Sequence, residues 1–189
     1  MTTTIAARTA RRSSRLSRGV TMVEMGIVLA IVAVLSCVAV ASTRGMKDRQ
    51  LQQGVAAELA GDIQWLRMEV NSRAQPLRLT LDRNGRGSCY MIHSGPADAC
   101  RCEADGPALC SGEAHLLKAV YLPAQLGVSV AKIGTGRSTE VRPGRLTFSP
   151  TLTVEVARQG GPAIRHVVAI TGRLRSCAEG GAVQGLPAC

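Results

Sequence analysis

The feature that most constrains this chain is an uncharged apolar run that ends just before Arg44. No acidic or basic residue lies between Met25 and Thr43. With residues 20–24 included, the run is long enough to cross a bilayer as one helix, which takes about 20 residues. Basic residues precede the run, and such residues hold that end of a membrane helix in the cytoplasm. The pattern predicts a single-pass membrane protein whose downstream part is exported.

One carboxylate, Glu24, interrupts the apolar run near its start. A carboxylate in this position costs free energy unless it has a cationic partner or reaches the lipid headgroups. One interpretation leaves Glu24 as a side chain at the headgroup level. The other pairs Glu24 with a cation, most simply the amino group that cleavage between Gly19 and Val20 would create on a neighbouring subunit.

The basic character of the chain is divided between two regions. The formal net charge is +10, and an excess of this size indicates anionic partners such as nucleic acid or lipid headgroups. Half of that charge comes from five arginines before Gly19, with no acidic residue among them: Arg8, Arg11, Arg12, Arg15 and Arg18. If the segment is removed, the remaining excess must act through the C-terminal part.

The rest of the chain predicts an α+β fold. Apolar residues recur at three- and four-residue spacing over residues 44–75, which indicates an amphipathic helix that continues the membrane helix of residues 20–43. These residues are Leu51, Val55, Leu59, Ile63, Leu66 and Val70. Several short alternating segments follow over residues 76–176, with a tight turn at Asn84-Gly85. We expect an antiparallel β-sheet or sandwich packed on the long helix, and then a C-terminal tail, residues 177–189.

Seven cysteines are present, and Cys37 inside the apolar run is interpreted as a small buried hydrophobe. The other six form an even set in an exported domain and predict disulfides: Cys89, Cys100, Cys102, Cys110, Cys177 and Cys189. Six cysteines allow 15 connectivities. Proximity favours Cys177 with Cys189, which leaves the other four to staple residues 89–110. A zinc site with His93 is the alternative, but the spacing lacks paired Cys-x-x-Cys knuckles, so neither metal nor cofactor is predicted.

The sequence offers no catalytic constellation. Residues 134–138 are glycine-rich, but they lack the spacing and the lysine of a phosphate-binding P-loop. No nucleophile elbow, Ser-x-x-Lys motif or paired carboxylates in a suitable context appear. We predict that the protein is not an enzyme. We expect it instead to be the substrate of an enzyme that modifies it covalently.

Residues 18–24, Arg-Gly-Val-Thr-Met-Val-Glu, resemble the prepilin leader of the type IV pilin-like family. That family has Gly before the cut, Thr second and Glu fifth in the mature chain; its usual first residue is Phe or Met, and Val20 departs from this. The resemblance implies a leader over residues 1–19, cleavage and N-methylation at Gly19–Val20 by a prepilin peptidase, and assembly with other pilins through Glu24. An ordinary secretory signal cut after Ala41 is the alternative, and it would release a soluble domain.

Residues 167–175, Val-Val-Ala-Ile-Thr-Gly-Arg-Leu-Arg, resemble the end of the GspH/FimT branch of that family, where a strand runs into a Gly-Arg-x-Arg turn. Residues 146–150 resemble the preceding Phe-x-Pro element, although Leu152 stands where Gly is usual. FimT-like members are minor pilins implicated in DNA uptake, and the secretion-type members are minor pseudopilins. The resemblance implies an inner-membrane protein with a periplasmic C-terminal domain that later enters a filament.

The C-terminal arginines are the candidate DNA-binding residues, because guanidinium forks suit phosphate oxygens. Arg173 and Arg175 would point the same way on an extended tail, and Gly172 would let the backbone approach a ligand; Arg158 and Arg165 complete the set. Such contacts bind phosphates with little sequence preference and strong salt dependence. Few aromatic residues are available for stacking, which favours double-stranded DNA.

Two functions remain open from the sequence. We expect a minor pilin that binds DNA at the pilus for DNA uptake in natural transformation. In the alternative, the arginines are a solvated face, and the chain is a minor pilin or a GspH-like type II secretion pseudopilin that acts only in filament assembly.

Overall fold

The computed structural model describes residues 19–103 and 108–189, without the side chains of residues 37–44. The chain divides into two units between Ser42 and Thr43. Helix α1 spans Met22–Arg73. Its start is fixed by Thr21, whose Oγ1 accepts a hydrogen bond from the Glu24 backbone N–H at 3.2 Å, as an N-cap side chain does. Residues 1–18 of the predicted leader, which covers residues 1–19, and the side chain of Cys37 lie outside the described residues.

Within the described part of the chain, no helix combines the length and the apolar content that a membrane crossing requires. The span predicted over residues 20–43 includes side chains outside that part, and it stays a prediction.

The C-terminal half of α1 carries the apolar stripe expected from its spacing. Val55, Leu59, Ile63, Leu66 and Val70 are buried, and Leu51 packs against them from a half-buried position. The helix ends where the chain turns to a positive φ of 51° at Ala74, and Pro76 follows. A left-handed residue followed by proline is a common way to terminate a helix. The predicted amphipathic segment is therefore confirmed.

Eleven strands follow α1 in the described residues: β1 (Leu77–Asn84), β2 (Gly87–His93), β3 (Cys100–Arg101), β4 (Leu109–Cys110), β5 (Leu116–Pro123), β6 (Val128–Ile133), β7 (Ser138–Val141), β8 (Phe148–Ser149), β9 (Leu152–Arg158), β10 (Ala163–Val168) and β11 (Leu174–Glu179). A short 3₁₀ turn, Ala124–Leu126, joins β5 to β6.

The strands form two main antiparallel sheets and one small ribbon. One sheet has the order β5-β2-β1-β7-β8, and the other has the order β11-β10-β9-β6. A single core joins them to α1: buried side chains from the helix, from β1 and β2, and from β6, β9 and β10 belong to one cluster. The α+β class and the antiparallel sheets predicted from the sequence are confirmed.

Three segments differ from the sequence prediction. Two of them lack the alternating pattern of a strand: residues 94–112 contain the β3–β4 ribbon, and residues 138–141 form strand β7. The sequence pattern places residues 174–179 in a turn and a tail, but they form β11, so the predicted domain boundary after residue 176 falls inside a strand. β11 is the terminal strand of its sheet, and most of its side chains are only partly covered.

Three disulfides close the β-rich part. Cys177 is bonded to Cys189, the pair favoured by proximity, with 4.9 Å between their Cα atoms. The other four cysteines pair among themselves, as Cys89–Cys102 and Cys100–Cys110. These bonds use the four thiols of the alternative zinc site. His93 is fully buried, and its ring nitrogens contact the Thr80 hydroxyl and the Ser94 carbonyl oxygen.

Candidate nucleic-acid interface

The Gly-Arg-x-Arg segment runs from the tight turn after β10 into β11, which begins at Leu174. The Gly172 N–H donates to the Ala169 carbonyl at 2.8 Å, and the Ala169 N–H donates to the Arg173 carbonyl at 3.0 Å. Gly172 has a φ of +79°, which glycine adopts at little cost. Gly172 is buried. Its backbone therefore faces the protein, whereas the sequence prediction placed a ligand against it.

The group that covers Gly172 is Arg67 of α1, which the sequence analysis did not single out. Arg67 Nη1 donates to the Gly172 carbonyl oxygen at 3.4 Å and to Gln64 Oε1 at 3.3 Å. A Cβ at position 172 would lie 2.7 Å from Arg67 Nε and 2.9 Å from Arg67 Cζ. The guanidinium thus lies flat against the glycine, and a side chain there would displace it. Arg67 forms no ion pair with a carboxylate of the described residues, so it adds a positive charge beside the turn.

Arg173 and Arg175 follow the turn and are exposed. Arg175 lies opposite Val167 on β10, and Arg173 lies one residue before the start of β11. Neither arginine forms an ion pair with any carboxylate that the structure describes. The two guanidinium groups are therefore available beside this edge of the sheet.

Arg165 is placed differently from the prediction. It lies on the same outer face, and its Nε contacts Glu155 Oε2 at 2.9 Å while its Nη1 contacts Glu179 Oε2 at 3.2 Å. The register explains this, because Arg165 is directly opposite Glu155 on β9. Two carboxylates around one guanidinium leave a local charge of minus one. Arg165 thus serves a cross-strand ion-pair network, and this surface does not attract phosphate.

Arg158 lies at the other end of the sheet. It ends β9, whereas Leu152 at the start of that strand is level with Val168 and Leu174 beside the turn. Six residues of strand separate the two positions by about 20 Å. The structure therefore brings Gly172, Arg173 and Arg175 together with Arg67, and it does not bring Arg158 to them.

His166 fastens the β10–β11 hairpin to α1. Its Nε2 lies 2.9 Å from the Ala56 carbonyl oxygen and must donate to it, and its Nδ1 lies 2.8 Å from the Ser176 hydroxyl. Burial lowers the pKa of His166 below its ordinary value. In the neutral ring, Nδ1 accepts from the Ser176 hydroxyl, so both partners are satisfied without a charge. Together with Arg67, this contact sets the position of the candidate DNA-binding strand on the helix.

The residues of the predicted cleavage and assembly site lie in the N-terminal unit. Gly19 and Val20 precede α1, and Glu24 stands in its first turn; all three are exposed. Large apolar side chains are exposed along the helix from Met22 to Leu35.

Comparison with protein-family models, with curated proteins and with solved structures gave no match to this chain.

Proposed function

We propose that this protein is a membrane-anchored minor subunit of a type IV pilus-like filament that binds the phosphate backbone of double-stranded DNA. The proposed contact surface consists of Arg67, Arg173 and Arg175 around the Gly172 turn. The observation that carries the proposal is a contrast between neighbouring arginines: Arg173 and Arg175 have no carboxylate partner among the described residues, while nearby Arg165 has two. An exposed, unpaired guanidinium can bind phosphate without first giving up a protein partner.

The position of this surface suits capture of a long anionic ligand. Gln52, early in the second unit, donates to the Val156 and Pro162 carbonyl groups at the hairpin end of the sheet. Arg67 meets the Gly172 turn fifteen residues later, about 22 Å along the helix. The arginines therefore lie at the end of the domain remote from the place where α1 enters it.

The N-terminal unit supports the anchoring and assembly part of the proposal. Its exposed apolar side chains need a lipid or protein environment, and Thr21 of the cleavage motif caps the helix that carries them. We infer that cleavage at Gly19–Val20 by a prepilin peptidase releases the leader, that Glu24 pairs with the new amino terminus of a neighbouring pilin, and that the chain passes from the inner membrane into the filament.

The test is a titration of the full chain, in a neutral detergent, with a labelled duplex at several salt concentrations. Three phosphate contacts predict a slope of log K against log salt of about −2.7, since each contributes about −0.9. The Arg173→Gln/Arg175→Gln variant should bind at least tenfold more weakly, with a slope smaller by about 1.8.

The matched control is Arg49→Gln/Arg101→Gln, which removes two exposed arginines from elsewhere. Its net charge equals that of the Arg173→Gln/Arg175→Gln variant. It should retain nearly the affinity and slope of the unaltered chain. Equal losses in both double variants would show that binding follows net charge and not this surface. A folded chain that binds no duplex would leave filament assembly alone as the function.

A further inference from the structure

A second basic feature lies at the opposite end of the β-rich unit from the Gly172 turn. A cavity of about 300 Å³ opens between the β1–β2 turn, the 3₁₀ turn and the β9–β10 hairpin. Its polar lining includes Arg83, Asn84, Ser88, Ser129, Arg158 and Gln159, and the remaining lining residues are glycine or apolar. None of the lining residues is acidic. Among the described residues, the cavity therefore carries two guanidinium groups and no carboxylate.

The guanidinium of Arg158 is fixed in position and carries an N–H donor that has no acceptor among the described residues. Its guanidinium lies against Gly161, where a Cβ would come within 2.3 Å of Arg158 Cζ. Its Nε is buried and has no hydrogen-bond partner among the residues that the structure describes. A buried N–H without a partner costs about 1–3 kcal/mol, so native structures rarely leave one unsatisfied. Arg158 is thus a fixed cation that lacks an acceptor.

Asn84 adds a second donor of the same kind. Its Oδ1 accepts the Arg86 backbone N–H at 2.9 Å, which fixes the orientation of the amide. Its Nδ2 is consequently a donor, and that atom is buried without a partner. Arg83 Nη2 contacts Ser129 Oγ at 3.4 Å, a long contact that leaves the rest of its fork uncommitted. Two separate chain segments therefore line one cavity with residues that each carry an unsatisfied donor.

We propose that this cavity binds a phosphate group. Guanidinium and amide donors from different directions suit a tetrahedral anion with several acceptor oxygens, and arginine forks match phosphate geometry. The volume exceeds the roughly 30 Å³ share of one water molecule in the liquid, so a polyatomic anion fits. The phosphate comes either from a small free molecule or from a nucleic-acid backbone, and the site is independent of the Gly172 surface.

The experiment is a calorimetric titration of the full chain, in neutral detergent, with inorganic phosphate at constant ionic strength. The unaltered chain should show saturable binding. Arg158→Gln should weaken that binding at least tenfold, and Asn84→Asp should abolish it, because a carboxylate there still accepts the Arg86 N–H but repels phosphate. Arg101→Gln, an exposed arginine outside the cavity, is the control and should bind phosphate normally.

Thermal unfolding provides the second measurement and guards against misfolded variants. Phosphate should raise the midpoint of the unaltered chain and of Arg101→Gln, and it should leave that of Arg158→Gln unchanged. A folded, unaltered chain that shows neither saturable heat nor a midpoint shift overturns the proposal. Equal loss of phosphate binding in Arg101→Gln and Arg158→Gln overturns it as well.

A competition arm identifies the source of the phosphate. The Arg173→Gln/Arg175→Gln variant is loaded with phosphate and titrated with a short duplex, so that the Gly172 surface does not contribute. Displacement of phosphate by the duplex assigns the cavity to a nucleic-acid backbone. Retention of phosphate assigns it to a free phosphate-bearing molecule. Either result supports the cavity as a phosphate site, and neither depends on the outcome of the Gly172 experiment.

Discussion

Replacing Gly172 with alanine tests whether Arg67 and the turn act as one unit. Two penalties follow from the structure. The φ of +79° is left-handed and costs an alanine about 1–2 kcal/mol. The new Cβ would also lie 2.7 Å from Arg67 Nε, so the guanidinium must shift and lose its contact with the Gly172 carbonyl. The hydrogen bond to the Gly172 carbonyl is long, so we expect its loss to add only about 1 kcal/mol to the destabilisation.

The sum of about 2–3 kcal/mol should lower the midpoint of thermal unfolding by about 5–10 °C in a domain of this size. Circular dichroism of the oxidised chain would measure it. Gly160→Ala is the matched control, because Gly160 has a φ of +66° and an added Cβ there would meet nothing within 4 Å. It should show the backbone penalty alone.

The decisive measurement is a double-mutant cycle with Arg67→Ala. In that background the new methyl group meets no guanidinium, so Gly172→Ala should cost about 1 kcal/mol less than in the unaltered chain. If Gly172→Ala costs no more than Gly160→Ala, or if its cost is the same with and without Arg67, the two residues are not coupled and the reasoning fails.

Two further predictions concern the elements that hold the hairpin. The pKa of His166 is lowered by burial, so the unfolded chain binds a proton at a higher pH than the folded chain does; stability should fall as pH drops below about 6.5, by up to about 1.4 kcal/mol per pH unit. His93 has the same shift for the same reason, so urea unfolding of His93→Gln/His166→Gln should show a flatter profile between about pH 6.5 and 5.5. Removing the disulfide between Cys177 and Cys189, as Cys177→Ser/Cys189→Ser, should lower the free energy of unfolding by about 3 kcal/mol. The two cysteines are 12 residues apart, and a disulfide that closes a loop of about this length stabilises by about that much. An unchanged free energy would mean that backbone hydrogen bonds alone hold the tail.

The helix stripe and the β1–β2 turn could be predicted because each depends on residues that are close together in the sequence. The stripe from Val55 to Val70 follows the helical repeat, and the turn after Asn84 joins β1 to β2 as its residues suggest. β11 was not predicted from the sequence because its own residues show little apolar alternation. Only its pairing with β10 makes it a strand, and pairing is not visible in a single segment.

The candidate site was predictable in its exposed arginines and not in their partners. Arg67 contacts Gly172 across 105 residues, and no spacing rule connects a helix position to a distant turn. Arg165 looked equivalent to Arg175 because both are basic residues in the same segment. The difference depends on the register that sets Glu155 opposite Arg165, which only the assembled sheet provides.

In the proposed DNA-binding role, the same register limits how many phosphates one copy of the chain can contact. Arg165 with its two glutamates is net negative, and it lies diagonally next to Arg175, about 7–8 Å away across the strand pair. The positive surface therefore ends at Arg175, and a duplex can place only a few phosphates on it. Few contacts mean weak, salt-sensitive binding by one copy. Useful retention then requires several subunits to engage the same duplex, since linked weak sites gain affinity from their effective concentration without any new contact.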